Sequence, residues 1–241
     1  MTIQPIRLGD HVFALPLPAN LMGGVSLIHP ALLLDDREGA TLVDTGVPGM
    51  EGVIEEALSA LSLSLSDVRR VVVTHHDLDH IGSLPSVLSR TNADVLALEA
   101  EVPYVQGDLP SQKQPSPERL AAMPPAMKAV FENPPRARVT RVLHDGDVLN
   151  VAGGVDVVAT PGHTFGHLSL FVRKSGVLIA GDALTSANGE LHPPMERATP
   201  DMETAMRSLG KLATLPVRAI LTYHGGVVSE DAASQLRRVA G

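Results

Sequence analysis

Five short apolar runs of this chain lead into histidine or aspartate, and that repeated ending restricts the fold more than any other feature. Three end in threonine and then deliver histidine: VVVTHH at 71–76, VVATPGH at 157–163 and AILTYH at 219–224. Two end in aspartate: TLVDT at 41–45 and VLIAGD at 177–182. Short runs rich in β-branched and aliphatic residues, bounded by Gly, Pro, Asp or Asn, carry the signature of β-strands. A strand on an exterior face alternates polar with apolar residues, but here the polar groups follow the strand ends. Five such clusters at strand C-termini imply one shared edge where loops converge, and α/β proteins build their sites at such edges.

The same signature marks strands at Val25–Ile28, Ala31–Leu34, Ala40–Val43, Val71–Val73, Asp94–Leu98, Val155–Ala159, Leu168–Val172, Val177–Ala180 and Val217–Leu221. Helical spacing of apolar residues occurs at Met50–Leu61, Ile81–Ser89, Asp201–Ala213 (with Pro200 just before it) and Ser229–Val239. The chain is therefore read as α/β. Leu168–Val172 and Val177–Ala180 are joined by Arg173-Lys174-Ser175-Gly176, a hairpin-like spacing that makes the sheets partly antiparallel. A sandwich of mixed sheets fits this better than one doubly wound parallel sheet. A length of 241 residues suits one large domain or two closely packed halves. The halves, 1–101 and 139–241, flank Val102–Arg138, which is rich in Pro, Gln and Ser and contains Pro124-Pro125 and Pro134-Pro135. This segment is either a surface linker or a lid-like insertion over the site; long insertions in compact domains are often functional, which favours the lid.

Cysteine is absent, which removes disulfides, a thiol nucleophile and thiolate metal ligands together. Any metal must then be held by His, Asp and Glu. The formal net charge of −8, with no Lys/Arg-rich run, disfavours a nucleic-acid partner. The N-terminus lacks the basic-then-apolar order of a signal peptide. The apolar stretch Leu21–Leu34 contains His29 and Pro30 and is too short to span a bilayer. The expectation is a cytoplasmic protein with no membrane partner.

The densest polar cluster is Thr74-His75-His76-Asp77-Leu78-Asp79-His80-Ile81-Gly82, where five of the six central residues can ligate a metal. Imidazoles and carboxylates crowded at a strand end repel or go unsatisfied unless a cation or hydrogen bonds compensate; the alternative is a solvated loop. Next come Thr160-Pro161-Gly162-His163-Thr164-Phe165-Gly166-His167, then Gly181-Asp182, then Tyr223-His224-Gly225-Gly226. Together, in this order, the motifs resemble the metallo-β-lactamase superfamily of metallohydrolases, over nearly the whole chain from Asp44-Thr45-Gly46 to His224. The resemblance implies a four-layer αβ/βα sandwich of two mixed β-sheets, with a binuclear site between their loop ends. Position by position, it implies that His75, Asp77 and His163 hold one metal, that Asp79, His80 and His224 hold the other, and that Asp182 bridges them. Asp44 matches a buried residue that orients a ligand histidine. His167 either supports the site or only closes a turn, while Gly162, Gly166, Gly225 and Gly226 allow tight turns. Ser208-Leu209-Gly210-Lys211 spells Ser-x-x-Lys, but it lies in a helical pattern without companion motifs and is set aside.

The first motif departs from the family's His-x-His-x-Asp-His. Asp77 stands where the second histidine is usual, and His76, at an x position, is expected to project away from the site as a surface or packing residue. The exchange trades a nitrogen ligand for an oxygen and adds a negative charge, which moves preference toward Mn²⁺ or Fe²⁺; Zn²⁺, which His and Asp also suit, remains the first expectation. Two divalent metal ions would acidify a shared water for attack on an electrophilic carbonyl. Asp79 would orient that water or accept its proton, and Tyr223 would either donate to the developing oxyanion or simply pack. Likeness to the small single-domain members implies a small-molecule substrate, a lactone or related ester. The alternatives are a thioester, as for hydrolases of the glyoxalase II kind, a β-lactam, or the chemistry of diiron redox members, which need a flavin partner.

Overall fold

The computed structural model describes residues 3–21, 24–35 and 38–241, so residues 22 and 23 of the apolar stretch Leu21–Leu34 lie outside it. The first half contributes strands Ile6–Gly9 (β1), Val12–Ala14 (β2), Leu17–Leu21 (β3), Gly24–Ile28 (β4), Ala31–Asp35 (β5), Gly39–Val43 (β6), Val68–Val72 (β7), Asp94–Leu98 (β8) and Arg141–Leu143 (β9). Its sheet has the order β1-β2-β5-β6-β7-β8-β9, and β3 pairs with β4 as a separate ribbon. The second half contributes Val148–Leu149 (β10), Val155–Ala159 (β11), Leu168–Val172 (β12), Val177–Gly181 (β13), Thr185–Ala187 (β14), Glu190–His192 (β15), Ala219–Thr222 (β16) and Gly226–Val228 (β17). Its sheet has the order β10-β11-β12-β13-β16-β17, with β14-β15 as a ribbon. Both sheets are mixed. Strands β6 to β9 pair in parallel, as do β13 and β16, and the expected hairpin β12-β13 is antiparallel.

Helices Glu51–Ser59 (α1), Leu78–Ile81 (α2), Leu84–Leu88 (α3), Val102–Val105 (α4), Pro117–Ala121 (α5), Pro125–Glu132 (α6), Met202–Leu212 (α7) and Ala232–Ala240 (α8) complete the fold. Successive residues of a strand point to opposite faces. Val71, Val73, Val95 and Ala97 accordingly pack with Ile54, Leu58, Leu84 and Val87 on one side of the first sheet. Their neighbours Val72, Leu96 and Leu98 meet Leu168, Leu170, Val177 and Ile179 between the sheets. Phe171, Leu178, Ala180 and Ile220 pack under α7 and α8 against Leu209, Leu212 and Leu236. The layers are helix, sheet, sheet, helix: the four-layer αβ/βα sandwich. Strands buried on both faces must be apolar throughout, which is why they read as unbroken runs.

One expected strand gains a detail, and one expected helix needs correction. Val25–Ile28 is strand, but it belongs to the β3-β4 ribbon, where Val25 and Leu27 are exposed. The helical pattern Ile81–Ser89 is two short helices, α2 and α3, parted at Gly82-Ser83. There the Ser83 hydroxyl accepts from Met50 N and donates to the Val47 carbonyl, tying the break to the start of α1. Asp201 caps α7 by accepting from Thr204 N, a bond that satisfies a free N–H of the first turn. No helix among the described residues is long and apolar enough to cross a membrane.

Candidate metal centre

All five polar endings reach one edge. The loop after β7 carries His75 to His80, the loop after β11 carries His163, β13 runs into Asp182, and β16 runs into Tyr223 and His224. Backbone bonds from Leu168 N to Thr74 O, 3.1 Å, and from Thr45 N to His80 O, 2.7 Å, stitch neighbouring endings together. Two groups result: His75, His163 and Asp182, and beside them Asp79, His80 and His224, with the ligand atoms of each group within 4.8 Å of one another. Asp77 Oδ2 lies 3.3 Å from His75 Nε2 and 3.2 Å from His163 Nε2. Asp182 stands between the groups: Oδ2 is 3.4 Å from His163 Nε2 and 3.5 Å from His224 Nε2, and Oδ1 is 3.4 Å from His80 Nε2. Asp79 Oδ2 is 3.1 Å from His224 Nε2.

His75 Nε2, His80 Nε2 and Asp182 Oδ1 are buried without a hydrogen-bond partner. Each such group costs about 1–3 kcal/mol if left unpaired, and their places within the two neighbouring groups fit divalent cations, which take nitrogen and carboxylate oxygen together. The far nitrogens of the same rings are satisfied. His80 Nδ1 donates to Asp44 Oδ2 at 2.8 Å. Thr74 Oγ1 donates to the same oxygen at 2.7 Å and so accepts from His75 Nδ1 at 3.0 Å. Thr199 Oγ1 donates to Met195 O and accepts from His163 Nδ1 at 3.2 Å. With a proton held on Nδ1, Nε2 is the nitrogen each ring turns inward, and its lone pair is available to a cation once any proton there is released.

Of the two roles considered for His167, the structure supports a place within the site's frame. Its Nε2 accepts from Asp182 N at 3.0 Å while Nδ1 donates to Thr160 Oγ1 at 2.8 Å. Two glycines are sterically required here. Gly162 has φ +132° and a Cβ would lie 2.3 Å from Ala205 N; Gly225 has φ +116° and a Cβ would lie 1.8 Å from Ser186 O.

Burial opposes charge on every group, and neighbours decide the outcome. It holds His75 well below the usual imidazole value, with His80 adding to the effect, and brings His167 down to about 3. Burial also disfavours the charged forms of His80 and His224, but carboxylates win. Asp182, Asp44 and Asp79 raise His80 well above its usual value, and Asp182 and Asp79 raise His224 to about 9. Against burial, His75, His163 and Lys113 hold Asp77 well below the carboxylate range, and His80 and His224 do the same for Asp182.

Tyr223 was expected to serve the oxyanion or to pack, and its place corrects the first of these. It is buried, its ring stacks on His80 at 3.7 Å between centroids, and its hydroxyl is spent on the Asp79 carbonyl. His76 does project away from the cluster, but it is buried: Nδ1 donates to Glu101 Oε1, and Nε2 lies 3.0 Å from Ser111 Oγ. Sequence reading missed Glu101, which also accepts from Thr164 Oγ1 and Gly166 N. It missed Lys113 as well, whose ammonium lies 2.5 Å from Asp77 Oδ2 and 2.7 Å from His163 Nε2. No motif or periodicity marks either residue.

The four-layer sandwich with histidines and aspartates massed at its shared strand edge, taken with its family and relatives, makes this a metal-dependent hydrolase. Residues 26–224 match the family model of the metallo-beta-lactamase superfamily, and the chain belongs to that superfamily. It is 34% identical over 238 residues to the probable metallo-hydrolase YflN of Bacillus subtilis (strain 168), covering 93% of this chain and 90% of the relative. Over 155 residues, 64% of this chain and 44% of the relative, it is 32% identical to a hydroxyacylglutathione hydrolase of Pseudomonas fluorescens (strain SBW25). A metallo-beta-lactamase family protein from Thermus thermophilus superposes with a TM-score of 0.72 at 26% identity, over 97% of this chain and 78% of that one.

Proposed function

We propose that the protein is a binuclear hydrolase of lactones or related esters. His75, Asp77 and His163 hold one divalent ion, Asp79, His80 and His224 hold the other, and Asp182 bridges the two. The observation that carries this reading is the convergence of three buried, partnerless atoms, His75 Nε2, His80 Nε2 and Asp182 Oδ1, among rings fixed from behind. When bound, such ions supply an acidified water and a Lewis-acidic contact for a carbonyl oxygen. The protein's own part is to hold the histidine tautomers and to handle the proton. Asp79, whose side chain is the most exposed of the three central carboxylates, orients the water or takes up its proton. Zinc suits this donor set, and the carboxylate of Asp77 extends it toward manganese and iron.

The chain acts as one domain of two halves, with 102–138 as the lid: Ser111, Gln112 and Lys113 reach the site's rim from it. The hydroxyacylglutathione hydrolase relative favours a thioester as the second reading. Metal analysis after purification without added metal, followed by a lactone, ester, thioester and β-lactam panel on the zinc, manganese and iron forms, tests both. Two metals per chain with lactone turnover is expected. One metal or none counts against the binuclear assignment, turnover of thioesters alone moves the substrate, and oxygen or nitric oxide consumption without hydrolysis favours the redox alternative.

A further inference from the structure

Lys113 stands 36 residues from Asp77 in the chain and outside every motif, yet its ammonium meets Asp77 Oδ2 at 2.5 Å and His163 Nε2 at 2.7 Å. These are the two atoms given above to one metal ion. Gln112, the residue before the lysine, is tied to two loops of the site. Gln112 N donates to His76 Nε2 at 3.3 Å, and Gln112 Oε1 accepts from Phe165 N at 2.8 Å. His76 and Phe165 flank the metal-bearing residues of two different loops, and buried Glu101 joins those loops through His76 N, Thr164 Oγ1 and Gly166 N. An ammonium and a divalent cation cannot use the same two lone pairs at once.

We propose that Lys113 is the counter-ion of Asp77, and that a divalent ion taking Asp77 and His163 displaces it outward, coupling metal affinity to the position of the segment that bears it. The inference rests on the metal-site reading. It also gives the negative charge of Asp77 a cation of its own, delivered from the 102–138 segment.

The chain lacks tryptophan, so Leu109→Trp, at an exposed position of the same segment, gives a clean reporter. Wild type, K113M and K113R are titrated with Zn²⁺ and Mn²⁺ against a chromophoric chelator, and L109W fluorescence is followed during loading. One metal should bind K113M about tenfold or more tighter than wild type, the scale of one charge-assisted hydrogen bond. The other metal should be unaffected, K113R should resemble wild type, and loading should change the L109W signal. Equal affinities in wild type and K113M, or an L109W signal unmoved at saturation, overturn the coupling. Metal binding by none of the proteins is a different result: it removes the metal-site reading, and the coupling with it.

Discussion

Asp44 holds its buried carboxylate at the back of the site with three hydrogen bonds: Oδ1 accepts from Thr74 N at 2.9 Å, and Oδ2 accepts from Thr74 Oγ1 at 2.7 Å and His80 Nδ1 at 2.8 Å. Asp44→Asn keeps the shape and suits the backbone, since φ is +64° and asparagine, like aspartate, populates the left-handed region. It removes the charge and replaces one of the two acceptor oxygens by an amide that only donates. If the amide oxygen stays on Thr74 N, the NH₂ faces His80 Nδ1. His80 must then carry its proton on Nε2, spending the lone pair turned toward Asp182. If the amide flips, Thr74 N loses its acceptor. Either arrangement should lower stability by about 1–3 kcal/mol and metal affinity at the His80 end by about 10–100-fold. Asp44 also helps raise the proton affinity of His80, so losing it eases deprotonation. Titration at several pH values separates the two effects, because the tautomer penalty persists at high pH. Affinity for both ions unchanged across that range, in a folded protein, would refute the orienting role.

Further outcomes follow from the same geometry. His224, raised to about 9 from 6.5 by Asp182 and Asp79 against burial, carries a proton at neutral pH in the metal-free protein. Metal affinity should therefore rise with pH up to about 9, as His224 and the similarly raised His80 give up protons, with the release visible as buffer-dependent calorimetric heats; flat affinity across that interval contradicts it. The raised value also means that its pairing stabilises the metal-free protein fully below about 6.5 and is lost as pH rises through about 9, which urea titrations against pH will show. Gly162→Ala must place a Cβ 2.3 Å from Ala205 N at φ +132°, so a loss of at least about 1–3 kcal/mol in urea unfolding is expected; a silent substitution would show that this turn relaxes freely. Asp77→His should shift competition between Zn²⁺ and Mn²⁺ toward zinc, read by equilibrium dialysis with both present.

The central strands were legible because they are buried on both faces. Asp94–Leu98, Val155–Ala159 and Leu168–Val172 match the structure to the residue; the first and last place neighbours alternately in different layers of the core, and Val155–Ala159 does so at Val157 and Val158. Strands such as Val148–Leu149 and Thr185–Ala187 escaped because two or three residues give no period to read. The convergence of His75, His163, Asp182 and His224 on one edge was legible for a related reason: a strand with no polar side available can present polar residues only where it ends. The supporting residues were not. Lys113 comes from a segment whose Pro-, Gln- and Ser-rich sequence carries no pattern, and Glu101 from the short turn just before it; their importance arises only when folding brings them against the loops after β7 and β11. Tyr223 was legible as a neighbour of a ligand but not as a prop, since the direction of its hydroxyl depends on where Asp79 O lies.

The way the site is held says which parts of it are rigid. His80 is fixed through Asp44, His75 through Thr74, His163 through Thr199, and the backbone of Asp182 through His167. Four inward-facing groups are thus set by partners that do not themselves face the centre, and those partners are buried. Donors held in this way are preorganised: the fold accepts about 1–3 kcal/mol for each partnerless atom, and an ion binding there would not need to order those side chains. Asp77 and Asp79 differ. Their side chains are 19% and 25% exposed, and their carboxylates contact other members of the cluster or Lys113. Freedom to adjust is therefore concentrated in these two carboxylates, one beside each histidine group, and in His224, whose side chain is 23% exposed. One of them, Asp77, is the carboxylate that meets the Lys113 ammonium.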